Sequence, residues 1–296
     1  MQMNKPVSDV TVHKSSILGR RESNEDVEYI ERNLAPNGSP IDNKSAAIDL
    51  FIICDGHGGD EVSKFVVPQL REQFLKRTNI YPLRNTEIFQ IYNTIQQLLK
   101  THPKQIADGC GSTALVIIRH MLKGKKYIQV INIGDCRAVL SRKGLAIPLS
   151  KDHKPDWPDE KRRIKDVNRA HDTNEPIHFE EKAWRIGDLS VSRAFGDLDN
   201  VPYVTHIPEI FNYPLTENDE FIIMACDGLW DVMSSDTAVN FVRDHMTNSF
   251  TYTYDIRNKY PPHNDQSNQN IGRKLADYAF ACGSTDNISV LLLIFN

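Results

Sequence analysis

Carboxylates recur in this chain where apolar runs end. Asp55 follows Leu50-Phe51-Ile52-Ile53-Cys54 and precedes Gly56-His57-Gly58-Gly59. Asp227 follows Met224-Ala225-Cys226, with Asp231 four residues on, and Asp135 sits in Gly134-Asp135-Cys136. Glu25-Asp26 and the Asp286 of Ser284-Thr285-Asp286-Asn287 repeat the pattern. An apolar strand that ends in Asp-Gly sets a carboxylate at a sheet rim, with a glycine beside it for close backbone approach. Taken singly, each is ordinary turn chemistry. Taken together at one rim, they make an oxygen-lined pocket. Clustered carboxylates repel, so a fold tolerates them only with cations between them, and few lysines interrupt these runs. Carboxylate, carbonyl and water oxygens suit Mg²⁺ or Mn²⁺, and Ca²⁺ less well. The ten histidines show no HxxxH or HExxH pairing, which argues against zinc. Two hard cations sharing a water suit hydrolysis of a phosphate ester, because they lower the pKa of that water and clamp the phosphoryl oxygens.

The elements that must carry these residues are mostly strands. Runs at Val10–Leu18, Leu50–Cys54, Ser112–Arg119, Tyr127–Ile133, Arg137–Ser141, Glu220–Ala225 and Ile288–Phe295 read as strands, with turns at Lys123-Gly124-Lys125 and Arg142-Lys143-Gly144. Helical spacing appears at Asp60–Arg77, where Val62, Phe65, Val66, Leu70, Phe74 and Leu75 share a face. It returns at Thr86–Lys100 with Ile88, Ile91, Tyr92, Ile95, Leu98 and Leu99. Pro158–Asn168, Ser235–Met246 and Ile271–Ala281 are expected to be further helices. Helices interleaved with strand blocks predict one α+β domain over residues 1–296, with a short tail at about 1–9. Polar stretches at about 168–183 and 258–270 predict mobile loops.

Composition narrows the function classes. A net charge of −4 gives no basic stripe, so nucleic acid is not an expected partner and a nuclease is disfavoured. No run reaches the ~20 apolar residues needed to span a bilayer. The five cysteines are widely spaced with no CxxC, which predicts buried thiols in a reducing compartment, cytoplasmic or nuclear.

The motifs taken in order resemble the PPM-type (type 2C) metal-dependent serine/threonine protein phosphatases. They are Gly19-Arg20-Arg21 with Glu25-Asp26, Asp55-Gly56-His57-Gly58-Gly59, Gly111-Ser112-Thr113-Ala114, Ile133-Gly134-Asp135-Cys136-Arg137, Asp152-His153-Lys154-Pro155, Leu189 to Asp197, Ala225 to Asp231, and Ser284 to Val290. The resemblance runs from about residue 10 to the end. It implies a four-layer αββα sandwich, two antiparallel β-sheets flanked by helix pairs. It also implies two Mg²⁺ or Mn²⁺ ions and phosphorylated protein substrates, with the chain acting as a monomer. Asp55 would bridge both metals, with Glu25 or Asp26 and the Gly56 carbonyl on one and Asp227 and Asp286 on the other. Asn287 would support these ligands. Asp135, Asp227 and Asp231 match positions that hold a third, weaker metal. Arg21 matches the phosphate-gripping arginine, with Arg20 as the alternative in register. A guanidinium suits that role because its planar fork makes two charge-assisted bonds to phosphate. His57 matches the general acid; the alternative is a histidine that only orients a carboxylate. Arg193 and Asp197 are expected to form a structural ion pair.

The sequence departs from the family between Pro155 and Trp184. Asn168-Arg169-Ala170-His171-Asp172-Thr173-Asn174 stands where the family's flap carries a glycine pair. That flap bears on substrate choice and on occupancy of the third metal. An inactive binding protein of the same fold usually loses metal ligands, and here every matched ligand position is filled.

Overall fold

The computed structural model describes residues 10–34, 48–76, 80–171, 176–181, 183–247 and 269–296. The expected tail and most of the 258–270 segment lie outside them. Two units, each compact, alternate along the chain. One comprises residues up to 22, 138–148 and 216–296; the other comprises 23–137 and 149–215.

The first unit is built on strands β1 (Val10–Ile17), β8 (Arg137–Arg142), β9 (Leu145–Pro148), β14 (Asp219–Ala225) and β15 (Ile288–Phe295), numbered by their place in the whole chain. Their sheet order is β1-β15-β14-β8-β9. β15 pairs antiparallel with β1 (Val10 opposite Phe295) and with β14 (Ala225 opposite Val290). Its residues Ile288 to Leu293, apolar except for Ser289, are buried on both faces. Helices α5 (Ser235–Thr247) and α6 (Ile271–Ala281) press Val239, Val242, Leu275 and Ala279 onto Phe221, Ile223, Val290 and Leu292. The Asn270 side chain caps α6 by accepting from the Arg273 N–H at 2.9 Å.

The second unit is built on β2 (Val27–Leu34), β3 (Ile48–Cys54), β6 (Ala114–Leu122), β7 (Lys125–Ile133) and β13 (Glu209–Pro214), in the order β13-β7-β6-β3-β2. Helices α1 (Glu61–Lys76) and α2 (Asn85–Lys100) cover it, burying Val62, Val66, Leu70, Ile88, Ile91, Tyr92 and Ile95 against Leu50, Ile52, Val116 and Ile131. Each such side chain contributes roughly 1.5–3 kcal/mol when it leaves water. Leu98, expected on the buried face of α2, is exposed. A smaller set comprises the two-residue strands β4 (Gly56–His57), β5 (Gly111–Ser112) and β12 (Phe195–Gly196), which form a sheet in the order β12-β5-β4.

The two expected turns are the same device used once in each unit. Leu122 pairs with Lys125, and Arg142 pairs with Leu145, leaving two-residue loops. Both loop residues have positive φ: Lys123 50° and Gly124 75°, Lys143 50° and Gly144 78°. That is the turn whose twist matches antiparallel strands.

The stretch expected to be a loop at about 168–183 is largely ordered structure. Helix α3 (Pro158–His171) runs past its expected end, and β10 (Ile177–Glu180) pairs with β11 (Ala183–Ile186). Ile164 of α3 and Ile177 and Ile186 of the hairpin share one small core with Val191, Ala194 and Val204. These few apolar residues, spaced too far apart to show a period, anchor an otherwise polar segment. Residues 172–175 and 182 lie outside the described residues. Cys54, Cys110, Cys136 and Cys226 are buried as expected. Cys282 is exposed, because it caps the C-terminal end of α6.

Candidate metal centre

In the second unit, β3 ends at Cys54 and delivers Asp55 to the sheet rim. Asp26 immediately precedes β2, the antiparallel neighbour of β3, in which Val27 lies opposite Cys54. Carboxylate oxygens of Asp26 and Asp55 therefore come within 4.8 Å of each other. Asp135, at the turn between β7 and β8, also brings a carboxylate oxygen within 4.8 Å of Asp55. Two carboxylates at that separation repel by roughly 3 kcal/mol at an effective dielectric of 20. These are hard oxygen donors, and a divalent cation between them removes the repulsion, so the residues fit such an ion.

Glu25 faces elsewhere. Its Oε2 accepts from the Gly59 N–H at 3.2 Å, its Oε1 accepts from the Ser23 hydroxyl at 3.2 Å, and its backbone carbonyl accepts from Ser63 at 2.6 Å. Gly56 has no room for a side chain, since a Cβ there would lie 2.6 Å from the Glu25 carbonyl oxygen. The Asp135 turn is wrapped by the Asp152-His153-Lys154 segment. Arg137 pairs with Asp152 through Nε at 2.9 Å and Nη2 at 2.5 Å, and the Gly134 N–H donates to His153 Nδ1 at 3.1 Å. The Lys154 ammonium sits directly on Asp135, which is 2% exposed. The acidic runs looked free of lysine in sequence, but this one acquires a lysine from 19 residues away.

His57 pairs with Asp197, and so the expected Arg193–Asp197 ion pair does not form. Nε2 of His57 lies 2.8 Å from Asp197 Oδ1 and 2.9 Å from Oδ2. Arg193 instead reaches Glu160, with Nη2 to Oε1 at 2.5 Å. The small sheet explains the His57–Asp197 contact. His57 on β4 and Gly196 on β12 both lie opposite Gly111 of β5, and a Cβ at Gly111 would meet Asp197 Oδ2 at 2.2 Å and His57 Nε2 at 2.4 Å. Buried Gln96 of α2 grips Gly196 at both its N–H and its carbonyl, each at 2.9 Å. Burial pulls the His57 pKa down, but the hydrogen bond and charge of Asp197 outweigh it and raise the pKa above the ordinary value.

In the first unit, β14 runs into Cys226 and then the single turn α4 (Asp227–Trp230). Gly228 approaches the Ser284–Asn287 turn so closely that a Cβ would lie 1.9 Å from the Asn287 carbonyl oxygen. The Cys226 thiol donates to that same carbonyl at 3.4 Å, and the Asn287 side chain donates to the Leu18 carbonyl at 2.8 Å. Asp286 is bound on both oxygens, by the Asn287 N–H at 2.7 Å and by Arg21 Nη2 at 2.5 Å. Asp231 is exposed and closes the turn, its N–H donating to the Asp227 carbonyl at 2.8 Å. Arg20, the alternative to Arg21, stacks on the Phe280 ring, with its guanidinium carbon 5.1 Å from the centroid.

Three contacts of the candidate site were not legible in sequence: Asp197 with His57, Lys154 with Asp135, and Thr113 with Asp55. All three lie within quoted motifs, but which residue faces which depends on pairings 19 to 140 residues apart.

The protein phosphatase 2C family model matches residues 10–288. A PP2C-like domain-containing protein of Acanthamoeba polyphaga mimivirus is 63% identical over 172 residues, which cover 58% of this chain and 96% of that protein. Probable protein phosphatase 2C 7 of Oryza sativa is 33% identical over 95% of the chain. The chain spans 64% of that rice protein and 50% of a second, probable protein phosphatase 2C 52. Among solved structures, a phosphatase of Toxoplasma gondii superposes with a TM-score of 0.72 at 22% identity, covering 97% of this chain and 93% of its own. The α+β fold with antiparallel sheets flanked by helices is shared with that structure. This chain belongs to the protein phosphatase 2C family.

Proposed function

We propose that residues 1–296 act as one catalytic domain that hydrolyses phosphoserine and phosphothreonine monoesters in proteins. The observation that carries this reading is the gathering of the Asp26, Asp55 and Asp135 carboxylates beside a histidine locked onto Asp197. In this reading Asp55, Asp26, the Gly56 carbonyl, Asp227 and Asp286 would hold the two cations, with Asp55 serving both. Asp26 is preferred over Glu25 because Glu25 already serves Gly59 and Ser23. Asn287 supports the set through its N–H to Asp286. When bound, a Mg²⁺ or Mn²⁺ pair would supply an activated water and screen the phosphoryl charge. Asp135, Asp227 and Asp231 would hold a third and weaker ion, in competition with Lys154 for Asp135.

The chain's own residues do the rest. Arg21, tethered by Asp286 and still 57% exposed, presents a guanidinium that can grip phosphate oxygens. His57, whose pKa Asp197 raises, supplies a proton to the departing serine or threonine oxygen. No described helix is long and apolar enough to cross a membrane. The test is phosphate release from a phosphothreonine peptide with Mn²⁺, Mg²⁺ or EDTA. Release with either ion and none in EDTA is expected; turnover after exhaustive chelation contradicts the reading.

A further inference from the structure

We infer that Thr113 is a positioning residue for the metal-holding carboxylates, tying the Asp55 turn to the Asp135 turn; this rests on the metal-dependent reading above. Thr113 lies between β5 and β6 and is 2% exposed. It holds Asp55 from both sides of the backbone. Its N–H donates to the Asp55 carbonyl at 2.9 Å, and its Oγ1 accepts from the Asp55 N–H at 3.1 Å. Because Oγ1 accepts there, its own proton is free to point at Cys136 Sγ, 3.1 Å away. The methyl group does the remaining work. A Cβ at Gly134 would lie 2.4 Å from Thr113 Cγ2, so this methyl packs directly on the backbone that presents Asp135.

One side chain thus touches the backbone of Asp55 on one side and the residues flanking Asp135 on the other. The two carboxylates it lies between approach within 4.8 Å. Such a pair repels, so something rigid must hold the spacing when no cation balances it. A hydroxyl and a methyl on one β-branched carbon, stiff about χ1, do this in a way neither serine nor valine can. The simpler alternative is that Thr113 only satisfies a buried N–H and contributes to stability.

Calorimetric titration with Mn²⁺ separates the two. Thr113→Val keeps the shape and removes the hydroxyl; it is expected to weaken Mn²⁺ binding by about 10- to 100-fold, the usual effect of losing a group behind a metal ligand. Thr113→Ser restores the hydroxyl without the methyl and should recover part of the affinity. Melting curves in EDTA show whether the variants fold alike. Equal Mn²⁺ affinity in Thr113→Val and the unaltered protein overturns the inference, as does a Thr113→Ser variant no better than Thr113→Val. If Thr113→Val does not fold, Cys136→Ala carries the test. It leaves the bonds to Asp55 and the methyl contact with Gly134 and removes the hydroxyl's contact beside Asp135, so weaker Mn²⁺ binding supports the inference and unchanged binding overturns the part of it that runs through the hydroxyl. An unaltered protein that binds no Mn²⁺ overturns the metal reading itself, a result distinct from one in which both proteins bind equally.

Discussion

Both carboxylate oxygens of Asp197 lie within hydrogen-bond reach of His57 Nε2, at 2.8 and 2.9 Å, across a glycine that leaves no room for a Cβ. This arrangement occupies one ring nitrogen, and in the proposed function the other would serve the leaving group. His57→Gln should lower kcat on a phosphoserine peptide by roughly 10²–10⁴-fold, the range typical of general acid catalysis. With p-nitrophenyl phosphate the leaving phenolate needs little protonation, so the loss should be much smaller. Asp197→Asn should follow the same substrate pattern, and the double variant should be little worse than His57→Gln alone. Equal losses on both substrates would show that the ring only orients the site.

Arg21 is proposed to hold phosphate before the reaction. Arg21→Ala should therefore raise KM, with a smaller fall in kcat. Losing one charge-assisted contact of ~1.5–3 kcal/mol corresponds to roughly ten- to a hundred-fold weaker binding. Steady-state kinetics on the phosphothreonine peptide measure this directly. A fall in kcat alone would place Arg21 in the chemical step or in the support of Asp286.

The metal ligands should separate by severity. Asp55→Ala and Asp227→Ala should abolish activity and Mn²⁺ binding, because each removes a ligand of the proposed two-ion centre. Asp231→Ala should lower turnover only in part, since that exposed residue touches only the third site. Calorimetry decides: loss of the tight ions in Asp231→Ala would mean that its assignment is wrong. The fold should survive EDTA, as circular dichroism would show, because both apolar cores form without metal ligands.

Glu160 makes a prediction about pH. It is buried, which alone would raise its pKa. The hydrogen bond from Arg193 and the charges of Arg163 and Arg193 outweigh that and hold it at about 2. A carboxyl depressed in the folded state stabilises fully above its unfolded pKa and loses that contribution as pH falls toward its folded one. Between about pH 4.5 and 2, then, roughly 3 kcal/mol of stability should disappear, at 1.36 kcal/mol per pKa unit. Glu160→Gln should flatten this part of the acid-denaturation curve. An unchanged curve would mean that other carboxyls govern it.

The sequence by itself made most of the long elements legible and marked carboxylates as candidate ligands. β15 was legible because Ile288 to Phe295 is apolar throughout except for Ser289, and α6 because its apolar residues return every three to four positions. The Asp-Gly ends marked Asp55 and Asp227 without reference to any contact. Short strands such as β4, β5 and β12 were not legible, since two residues carry no period. The β10–β11 hairpin was hidden by its polar composition, and its anchors become a core only when Val191 and Val204 fold over them. Pairing was the tertiary structure's decision. Only the register of β4, β5 and β12 puts Asp197 under His57 and sends Arg193 to Glu160. Only the wrapping of the 152–154 segment sets Lys154 on Asp135. Local sequence fixes which way a strand's residues alternate, but it holds no record of which distant chain will lie opposite, and a charged side chain takes the partner that folding brings to it.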